Sequence, residues 1–456
     1  MAVSMEDLIR EWQERPLPEL TARDLDVNLK GSLAVSIIGM RRSGKTWRLF
    51  QEMENLAKEG VQKERILYFN FDDSRLASCD AAGPQLLDEL LESYFRLYPK
   101  FRREGAYFFF DEIQEIPGWA KFARRLIDTE KVKLFLSGSS AKLLSTEVAT
   151  EFRGRSLAFE LLPFSFRETL RYHGISPKAS PLDRSVYEKA FGDYLVTGGF
   201  PEALMQDDPA IRTGLLQSYL DSVVLRDVLE RYGLSNARGV KELAHTLLRS
   251  NGNLVSVKRL SDQLAGRRIA MSRETVSRIC AHLEDAFLVF FVPLYAYSLQ
   301  KIRVNPQKVY AVDPGLALSV SPPENLGYRL EQAVYLELRR RYPLFRHISY
   351  YLTEDRGEVD FVLGDPARQL PRELIQVCAS LRQKETRERE LGALIDAMNE
   401  LKLKQGTIIT LYEQEEIKLA AADRTKRGSS AGRIRVVPAW KWFLEQPLRT
   451  RKSVTG

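Results

Sequence analysis

Cysteine and histidine are scarce in this sequence, which argues against two kinds of cross-linked scaffold. Its 456 residues include three cysteines, Cys79, Cys280 and Cys378, and four histidines. An odd number of widely separated thiols does not indicate a disulfide framework, and so few histidines do not indicate a zinc site. We therefore expect the three thiols to be buried in the protein interior.

Long apolar runs are also missing. No stretch approaches the roughly eighteen consecutive apolar residues of a membrane-spanning helix. The first residues, MAVSMEDLIREW, lack the pattern of a signal peptide. We therefore expect a cytoplasmic protein with no membrane partner. The length suggests about two to four domains, and the hydrophobic content of 44% is ample for their cores.

A glycine-rich loop, GMRRSGKT at residues 39–46, follows the apolar run LAVSII and precedes the helical pattern WRLFQEMENLA. Strand, loop and helix in this order indicate a phosphate-binding loop, in which backbone N–H groups surround the phosphates. Lys45 would reach the β- and γ-phosphates, and the Thr46 hydroxyl would coordinate Mg²⁺. The sequence predicts that ATP is bound by Gly39, Arg42, Ser43, Gly44, Lys45, Thr46 and Trp47.

Two acidic residues follow a second apolar run about 65 residues later. The run AYFFF at 106–110 ends in Asp111 and Glu112, which predicts a buried parallel strand that presents both carboxylates at its carboxyl end. We expect Asp111 to bind Mg²⁺ with Thr46, and Glu112 to activate the attacking water. The alternative, two acids that cap the helix near Ile113, would make the phosphate loop a coincidence.

Further strands and polar residues complete the predicted ATPase core. RILYFNF (65–71) and VKLFLSGSS (132–140) read as two more strands of an α/β fold with a parallel sheet. The second ends in serines, of which Ser139 is a candidate sensor of the γ-phosphate, although a serine-rich turn is an equally good interpretation. Arg153 and Arg155, in FRGR, could act on the γ-phosphate of a neighbouring subunit, although such a pattern is more often an exposed turn.

Positive charge is concentrated in one sixth of the chain. Residues 238–310 contain twelve Lys or Arg and five Asp or Glu, an excess of seven that equals the net charge of +7 for the whole chain. Such a patch attracts polyanions. Within it, VKRLSDQLA and RETVSRICAHLEDA read as two helices and FLVFFVPLY as a strand, the order of a winged helix.

This module has two interpretations. In the first it binds DNA, and in the second it is a packing module between domains that has kept the fold without the DNA. The charge favours DNA. The candidate DNA contacts are Lys258, Arg259, Arg267, Arg268, Arg273 and Arg278.

The motifs together resemble those of a prokaryotic family of AAA+-type ATPases. They are GMRRSGKT, FDDSRL, FFFDEIQEIPGWAKFARRL, FLSGSSAKLL, FRGRSLAFELLPFSFRE and YLVTGGFPEAL. Members of that family (AAA_14-like) carry a C-terminal nuclease-like domain, DUF4143. The resemblance implies a helical lid with Pro201 near the adenine. Glu202 stands where related lids have a sensing arginine, for which Arg226 is a possible substitute. The family resemblance also implies a homo-oligomer, for which a hexameric ring is one possibility.

The last part of the chain resembles a restriction-endonuclease-like core. In that family an acid on the first helix, an aspartate on one strand and a Glu-x-Lys pair on the next bind Mg²⁺ and activate water. Glu331 and Asp360 match, whereas Gln376 and Cys378 stand in place of the final pair. An amide is a poor ligand for Mg²⁺ beside a carboxylate, and Glu373 points to the other face of the strand. We therefore expect a nuclease fold without nuclease activity.

The sequence thus predicts four segments and a DNA-associated ATPase. These are an ATPase core (1–162), a helical lid (163–235), a winged-helix module (236–308) and a degenerate nuclease-like domain (309–456). ATP hydrolysis would drive binding, translocation or remodelling of duplex, forked or branched DNA. One alternative is a nucleotide-dependent switch or scaffold with a protein partner. Another is an active ATP-dependent nuclease, against which Gln376 and Cys378 argue.

Overall fold

The chain forms two compact units in the computed structural model. The first comprises Met1–Leu162 with Asp285–Phe287, and the second comprises Pro163–Glu284 with Leu288–Gly456. The structure describes residues 4–27, 31, 33–78, 83–139, 152, 154–176, 183–321, 325–342, 347–419 and 432–445. Among these residues, no helix is both long enough and apolar enough to cross a bilayer.

A parallel five-stranded sheet forms the centre of the first unit, in the order β2-β3-β4-β1-β5. The predicted α/β class and the four predicted strands are confirmed, and β5 is a fifth strand that the sequence pattern did not indicate. The strands are β1 Ala34–Ile38, β2 Ile66–Asn70, β3 Ala106–Asp111, β4 Val132–Gly138 and β5 Ser156–Glu160. β1 and β3 lie on either side of β4, so the chain segments that follow these three strands meet at one edge.

Helices cover this sheet because each has an apolar face. The helix that follows the glycine-rich loop, Lys45–Lys58, buries Leu49 and Met53 against the sheet core that includes Phe109 and Phe135. These two phenylalanine rings stack with their centroids 4.4 Å apart. The helices of this unit are Met5–Glu14, Lys45–Lys58, Pro84–Leu97, Phe101–Glu104 and Trp119–Thr129, with 3₁₀ turns at Lys63–Arg65, Ser74–Ser78 and Ile113–Glu115.

The second unit begins with helices and contains a small antiparallel sheet. Strands β6 (Leu254–Val255), β7 (Val289–Val292) and β8 (Gln307–Ala311) form this sheet in the order β6-β8-β7. Strand β8 therefore lies on both sides of the predicted boundary between residues 308 and 309. The preceding helices are Phe166–Tyr172, Arg184–Thr197, Pro201–Leu204, Pro209–Ser222, the π-helix Val223–Glu230 and Ala237–Arg249. The two helices predicted in the basic segment are confirmed at Val257–Gly266 and Arg273–Asp285.

A mixed six-stranded sheet follows, in the order β13-β14-β12-β11-β10-β9. Its core contains Leu394, Ile408 and Ile434, which are fully buried. Cys280 and Cys378 are buried as expected, and Cys79 lies outside the described residues. The strands are β9 Ile348–Leu352, β10 Glu358–Asp365, β11 Leu370–Val377, β12 Gln405–Thr410, β13 Glu415–Leu419 and β14 Gly432–Pro438. The remaining helices are Leu299–Val304, Pro314–Val320, Leu326–Arg341, Lys384–Glu400 and Ala439–Leu444.

Two adjacent glycines in the second unit permit close backbone packing. The backbone N–H of Gly199 donates to the buried Asp313 carboxylate at 2.6 Å, and its carbonyl accepts from the Phe164 N–H at 2.7 Å. A Cβ atom on Gly199 would lie 2.1 Å from the Phe164 carbonyl oxygen, and one on Gly198 would lie 2.0 Å from Asp313. Burial raises the pKa of Asp313 to about 6. The glycines of the GGFP motif therefore have a packing role within this unit.

We expect Gly199→Ala to lower the free energy of unfolding by roughly 2–3 kcal/mol, because the new methyl group would collide with backbone atoms that cannot rotate away. Gly214→Ala is the matched control. Gly214 lies in an exposed helix with open space around its Cα, so alanine there should stabilise the protein by about 0.5–1 kcal/mol. Chemical denaturation of both variants measures the difference, and equal stabilities would contradict the packing role.

Candidate functional site

The loop between β1 and the Lys45–Lys58 helix has a tightly wound backbone. Arg42 and Gly44 have φ angles of 68° and 95°, in the left-handed region that glycine adopts readily. A Cβ atom on Gly39 would lie 2.2 Å from the carbonyl oxygen of Leu161, so only glycine fits at that position. The loop therefore has the backbone approach that a phosphate-binding loop needs.

Lys45 lies inside this loop. Its ammonium group donates to the carbonyl oxygens of Gly39 and Met40, each at 3.2 Å, and lies 3.7 Å from a Glu112 carboxylate oxygen. The Ser43 hydroxyl is buried and has no hydrogen-bond partner among the described residues. A buried hydroxyl without a partner is costly, and a phosphate oxygen would supply one. The residues of this loop therefore fit a bound nucleotide.

Asp111 is the most heavily hydrogen-bonded acid of this site. The hydroxyls of Thr46 and Tyr68 donate to its Oδ2 at 2.7 and 2.9 Å, and the Ser137 hydroxyl donates to its Oδ1. Burial raises the pKa of Asp111, and the neighbouring Glu112 charge adds to the increase. A carboxylate and a hydroxyl that already touch form a plausible pair of oxygen ligands for Mg²⁺.

Glu112 has an unusual backbone conformation for its residue type. Its φ angle is 52°, which costs free energy in a residue with a side chain and occurs most often at functional sites. Its N–H donates to the Ser137 hydroxyl at 3.1 Å, and its carboxylate accepts from the Gln114 amide. This turn directs the carboxylate toward Lys45, where a γ-phosphate and its attacking water would lie.

The other candidate residues of the ATPase site have different surroundings. Ser139 follows β4 and is fully buried. Arg155 forms an ion pair with Asp128 of the same chain, and Arg153 lies outside the described residues. Trp47 is half exposed, with its ring centroid 5.9 Å from that of Phe50. Pro201 belongs to the second unit, where it begins the short helix Pro201–Leu204.

Tyr68 and Arg23 contact the site but are not among the residues predicted from the sequence. Tyr68 on β2 binds Asp111 as described above. Arg23 is buried, and its guanidinium donates to the carbonyl oxygens of Ser43 at 2.8 Å and Leu162 at 2.5 Å. Arg23 therefore fixes the phosphate loop from a segment with no recognisable motif. The position of Tyr68 near the end of a strand beside β3 was the only signal for its role.

A second acidic cluster lies in the second unit, around a buried lysine. The Lys308 ammonium lies 2.7 Å from Glu331, 2.7 Å from Glu358 and 2.8 Å from Asp360. The contacts with Glu331 and Asp360 are hydrogen bonds, and the contact with Glu358 is an ion pair. Burial, reinforced by the Asp360 charge, raises the pKa of Glu331 to about 7 despite the opposing effect of Lys308.

The Gln376 amide is also occupied. Its oxygen accepts from the backbone N–H of Asp360 at 3.3 Å, and its nitrogen donates to Glu390 at 2.5 Å. Burial raises the pKa of Cys378 to about 12, so this thiol stays protonated and is a poor metal ligand. In the described part of the chain, no group of three or more His, Cys, Asp or Glu could hold a metal. The residues at Lys308 therefore do not fit a divalent cation.

Comparison with known proteins agrees with the first site. The model of the AAA domain family matches residues 32–170. An uncharacterised Methanocaldococcus jannaschii protein, MJ1544, is 34% identical over 426 residues, 92% of this chain and 90% of that protein. An uncharacterised Haemophilus influenzae protein is 32% identical over 309 residues, 67% of this chain and 74% of that protein. The chain therefore belongs to the same family as these uncharacterised relatives, and its first unit matches the AAA domain model of P-loop ATPases.

The remaining comparisons concern the second unit and the solved structures. A domain of unknown function (DUF8612) matches residues 188–326. This match covers most of the predicted lid and winged-helix segments, and the resemblance of the last part of the chain to DUF4143 stays a prediction. The solved structure of the Walker-type ATPase PABY2304 of Pyrococcus abyssi is 16% identical, with a TM-score of 0.38, over 63% of this chain and 90% of that chain.

We expect Lys45→Ala to abolish ATP binding, because no other buried cation lies inside the phosphate loop in the described structure. Glu112→Gln should keep ATP binding but slow hydrolysis by about two to four orders of magnitude, since only proton removal from water is lost. The matched control is Glu115→Gln, an exposed acid three residues away. Nucleotide affinity and single-turnover hydrolysis separate the variants, and a wild-type rate in Glu112→Gln would show that another group is the base.

We expect Lys308→Met to lower the free energy of unfolding by about 3–5 kcal/mol, because three carboxylates would lose their shared cation. Mn²⁺ should restore part of that stability in Lys308→Met and none in the wild type. The control is Lys301→Met, which removes an exposed cation nearby in sequence. Denaturation with and without Mn²⁺ measures the effect, and equal Mn²⁺ stabilisation of wild type and variant would contradict a site filled by Lys308.

Proposed function

We propose that this protein is a Mg²⁺-dependent ATPase in which hydrolysis is coupled to contacts with DNA. The observation that carries the ATPase part is the convergence of four side chains at one sheet edge. Lys45, Thr46, Asp111 and Glu112 come from two segments about 65 residues apart, yet each contacts at least one of the others. Such groups supply the charge and proton transfer that phosphoryl transfer requires.

Each residue has a distinct role in the proposed reaction. Lys45 would exchange its carbonyl partners for the β- and γ-phosphates, and Thr46 and Asp111 would hold Mg²⁺, which neutralises charge on the phosphates when bound. The carboxylate of Glu112 would accept a proton from the attacking water. Ser139 and Pro201 stay candidates for a γ-phosphate sensor and an adenine contact.

The ion pairs of the site favour a slow ATPase in the isolated chain. Glu112 lies near Lys45 and accepts a hydrogen bond from Gln114, so its carboxylate is engaged and must be released to act on water. Arg155 is paired with Asp128. In a homo-oligomer, of which a hexameric ring is one form, a neighbouring subunit could release Arg155, and Arg153 is the alternative trans-acting residue. This supports the second candidate function, a nucleotide-dependent switch or scaffold with a protein partner.

The proposed DNA surface rests on charge and exposure in the basic module. In the described chain, only Arg267 among the six candidate cations forms an ion pair, with Glu242. The helices Val257–Gly266 and Arg273–Asp285 lie in sequence between strands of the small antiparallel sheet, an order that supports a winged helix. All six candidate cations are exposed, namely Lys258, Arg259, Arg267, Arg268, Arg273 and Arg278.

The nuclease-like part of the chain supports binding better than cleavage. Lys308 already forms ion pairs with Glu331, Glu358 and Asp360, and the Gln376 side chain is a neutral amide. We propose that this part contributes DNA contacts or contacts within an assembly. Incubation of linear, forked and four-way DNA with Mg²⁺ or Mn²⁺ tests this proposal. Products that form with the wild type and disappear with Asp360→Ala would overturn it.

The most informative measurement on the wild type is its ATPase rate with and without DNA. Duplex, single-stranded and four-way DNA should be compared at one salt concentration, because phosphate contacts depend on salt. Fast turnover that requires DNA supports the DNA-coupled ATPase. Slow turnover with tight retention of nucleotide, unchanged by any DNA, supports the switch or scaffold.

We expect Arg273→Glu with Arg278→Glu to weaken duplex binding and to reduce the slope of log K against log salt by about two, because two phosphate contacts are lost. ATP hydrolysis without DNA should not change. The control reverses charge at Lys58 and Arg96, two exposed cations of the first unit. Duplex titrations at several salt concentrations measure the slopes, and an unchanged affinity would favour the packing-module interpretation.

A further inference from the structure

A cavity of about 510 Å³ lies beside the buried Lys308 cluster, within the second unit. Lys308, Glu331 and Glu358 line one part of it, and Arg249, Arg259 and Tyr328 line other parts. A neighbouring cavity of about 400 Å³ is also lined by Arg249 and Tyr328. Cavities of this size accept small organic groups with a few polar contacts. Two cavities that share lining residues suit a ligand that extends past Tyr328.

The Tyr328 ring is exposed yet held in place. It lies in the first turn of the Leu326–Arg341 helix, is 37% exposed and packs against the backbone of Gly252. Gly252 has a φ angle of 77°, and a Cβ atom there would lie 2.8 Å from the tyrosine ring. The Gly252 N–H donates to the carbonyl of Val309 at 2.8 Å, which anchors this support. A supported aromatic ring beside a cavity is a stacking platform for a planar group.

The charges around Tyr328 select the rest of the ligand. The Arg249 side chain is 44% exposed, and its Nε donates to the Val320 carbonyl at 3.1 Å. Its Nη1 lies 3.9 Å from a Glu242 carboxylate oxygen. Arg259 is exposed on the Val257–Gly266 helix. Guanidinium groups bind phosphate oxygens well. Lys308 already donates to Glu331 and Asp360 and pairs with Glu358, so we assign the phosphates to the two arginines.

Glu358 adds an acceptor to the same cavity. Its side chain is 38% exposed, while one oxygen contacts Lys308. An exposed carboxylate accepts hydrogen bonds from the amino group of a base or from a sugar hydroxyl, and it repels an isolated phosphate. The lining therefore combines a stacking ring, two cations and an acceptor, which are the groups that contact one nucleotide of an unpaired strand.

We propose that this cavity binds an unpaired nucleotide of single-stranded DNA, with its base on Tyr328 and the adjoining phosphates on Arg249 and Arg259. The inference rests on the proposed association with DNA and adds a preference for single-stranded segments or for the unpaired strand of a fork. In a duplex each base stacks on its neighbours, so its face is not available to Tyr328. The cavity and the exposed helix Arg273–Asp285 would then read different parts of one substrate.

The test uses the full-length protein with two fluorescein-labelled probes, an oligo(dT) strand and a blunt duplex, and measures affinity by fluorescence anisotropy. Tyr328→Leu should weaken oligo(dT) binding at least about fivefold, because base stacking is lost. Tyr328→Phe should stay within about twofold of the wild type, since the ring remains. Duplex affinity should be unchanged in both. Tyr297→Leu, at a tyrosine that is 54% exposed elsewhere in this unit, is the control.

Three further arms separate the possible outcomes. Quenching of 2-aminopurine within the strand should occur with wild type and disappear with Tyr328→Leu. An oligo(rU) strand tests whether the sugar matters, and inorganic phosphate as competitor tests for an anion site without base contact. Equal oligo(dT) affinity in wild type and Tyr328→Leu, or competition by phosphate alone at the same concentration in both, would overturn the nucleotide site.

The failure of this inference can be told apart from failure of the proposed function. If the wild type binds duplex and Arg273→Glu with Arg278→Glu weakens that binding, while Tyr328→Leu changes nothing, only the nucleotide site is wrong. If the wild type binds neither probe, both proposals fail. Equal unfolding midpoints for Tyr328→Leu and wild type exclude misfolding as the cause of a lost affinity.

Discussion

The buried carboxylate of Asp111 is the constraint on which the nucleotide site depends. Burial of this acid disfavours its charge, and hydroxyls from three different elements offset the cost. Thr46 comes from the loop helix, Tyr68 from β2 and Ser137 from β4. Because one carboxylate must satisfy all three, the phosphate loop and three strand ends are held in one arrangement. Lys45 and Glu112 then face each other as an ion pair, with 3.7 Å between the ammonium group and a carboxylate oxygen.

The second unit also contains buried carboxylates, but there a cation of the same chain offsets their charge. Three carboxylates converge there, as they would around a metal ion, but a lysine of the same chain lies between them. The Asp360 N–H also donates to the Gln376 amide oxygen, and the Asp360 carboxylate accepts from the Val377 N–H. The first unit leaves its acid and hydroxyl open to an external cation, whereas the second is complete in itself. Similar residue types thus form a proposed Mg²⁺ site in the first unit and surround a lysine of the same chain in the second.

Much of the first unit could be predicted because its signals are local. Strands β1 to β4 are buried on both faces and appear as continuous apolar runs, and Gly39 to Thr46 form a motif with fixed spacing. Strand β5 escaped prediction because it is only partly buried and so does not appear as an apolar run. Arg23 and Lys308 could not be predicted, since each acts through contacts with residues distant in sequence. Lys308 is 52 residues from Asp360, and no local pattern marks that pairing.

The lysine at the centre of the second acidic cluster changes how this unit relates to its surroundings. A metal-centred cluster loses its cation to a chelator or to a shortage of the ion, and its folding depends on supply. The Lys308 ammonium group is covalently part of the chain, so every molecule contains one. The arrangement of these carboxylates therefore does not depend on the concentration of divalent ions. The carboxylates of the second unit are thus held together without a divalent ion, in contrast to the proposed Mg²⁺ site of the first unit.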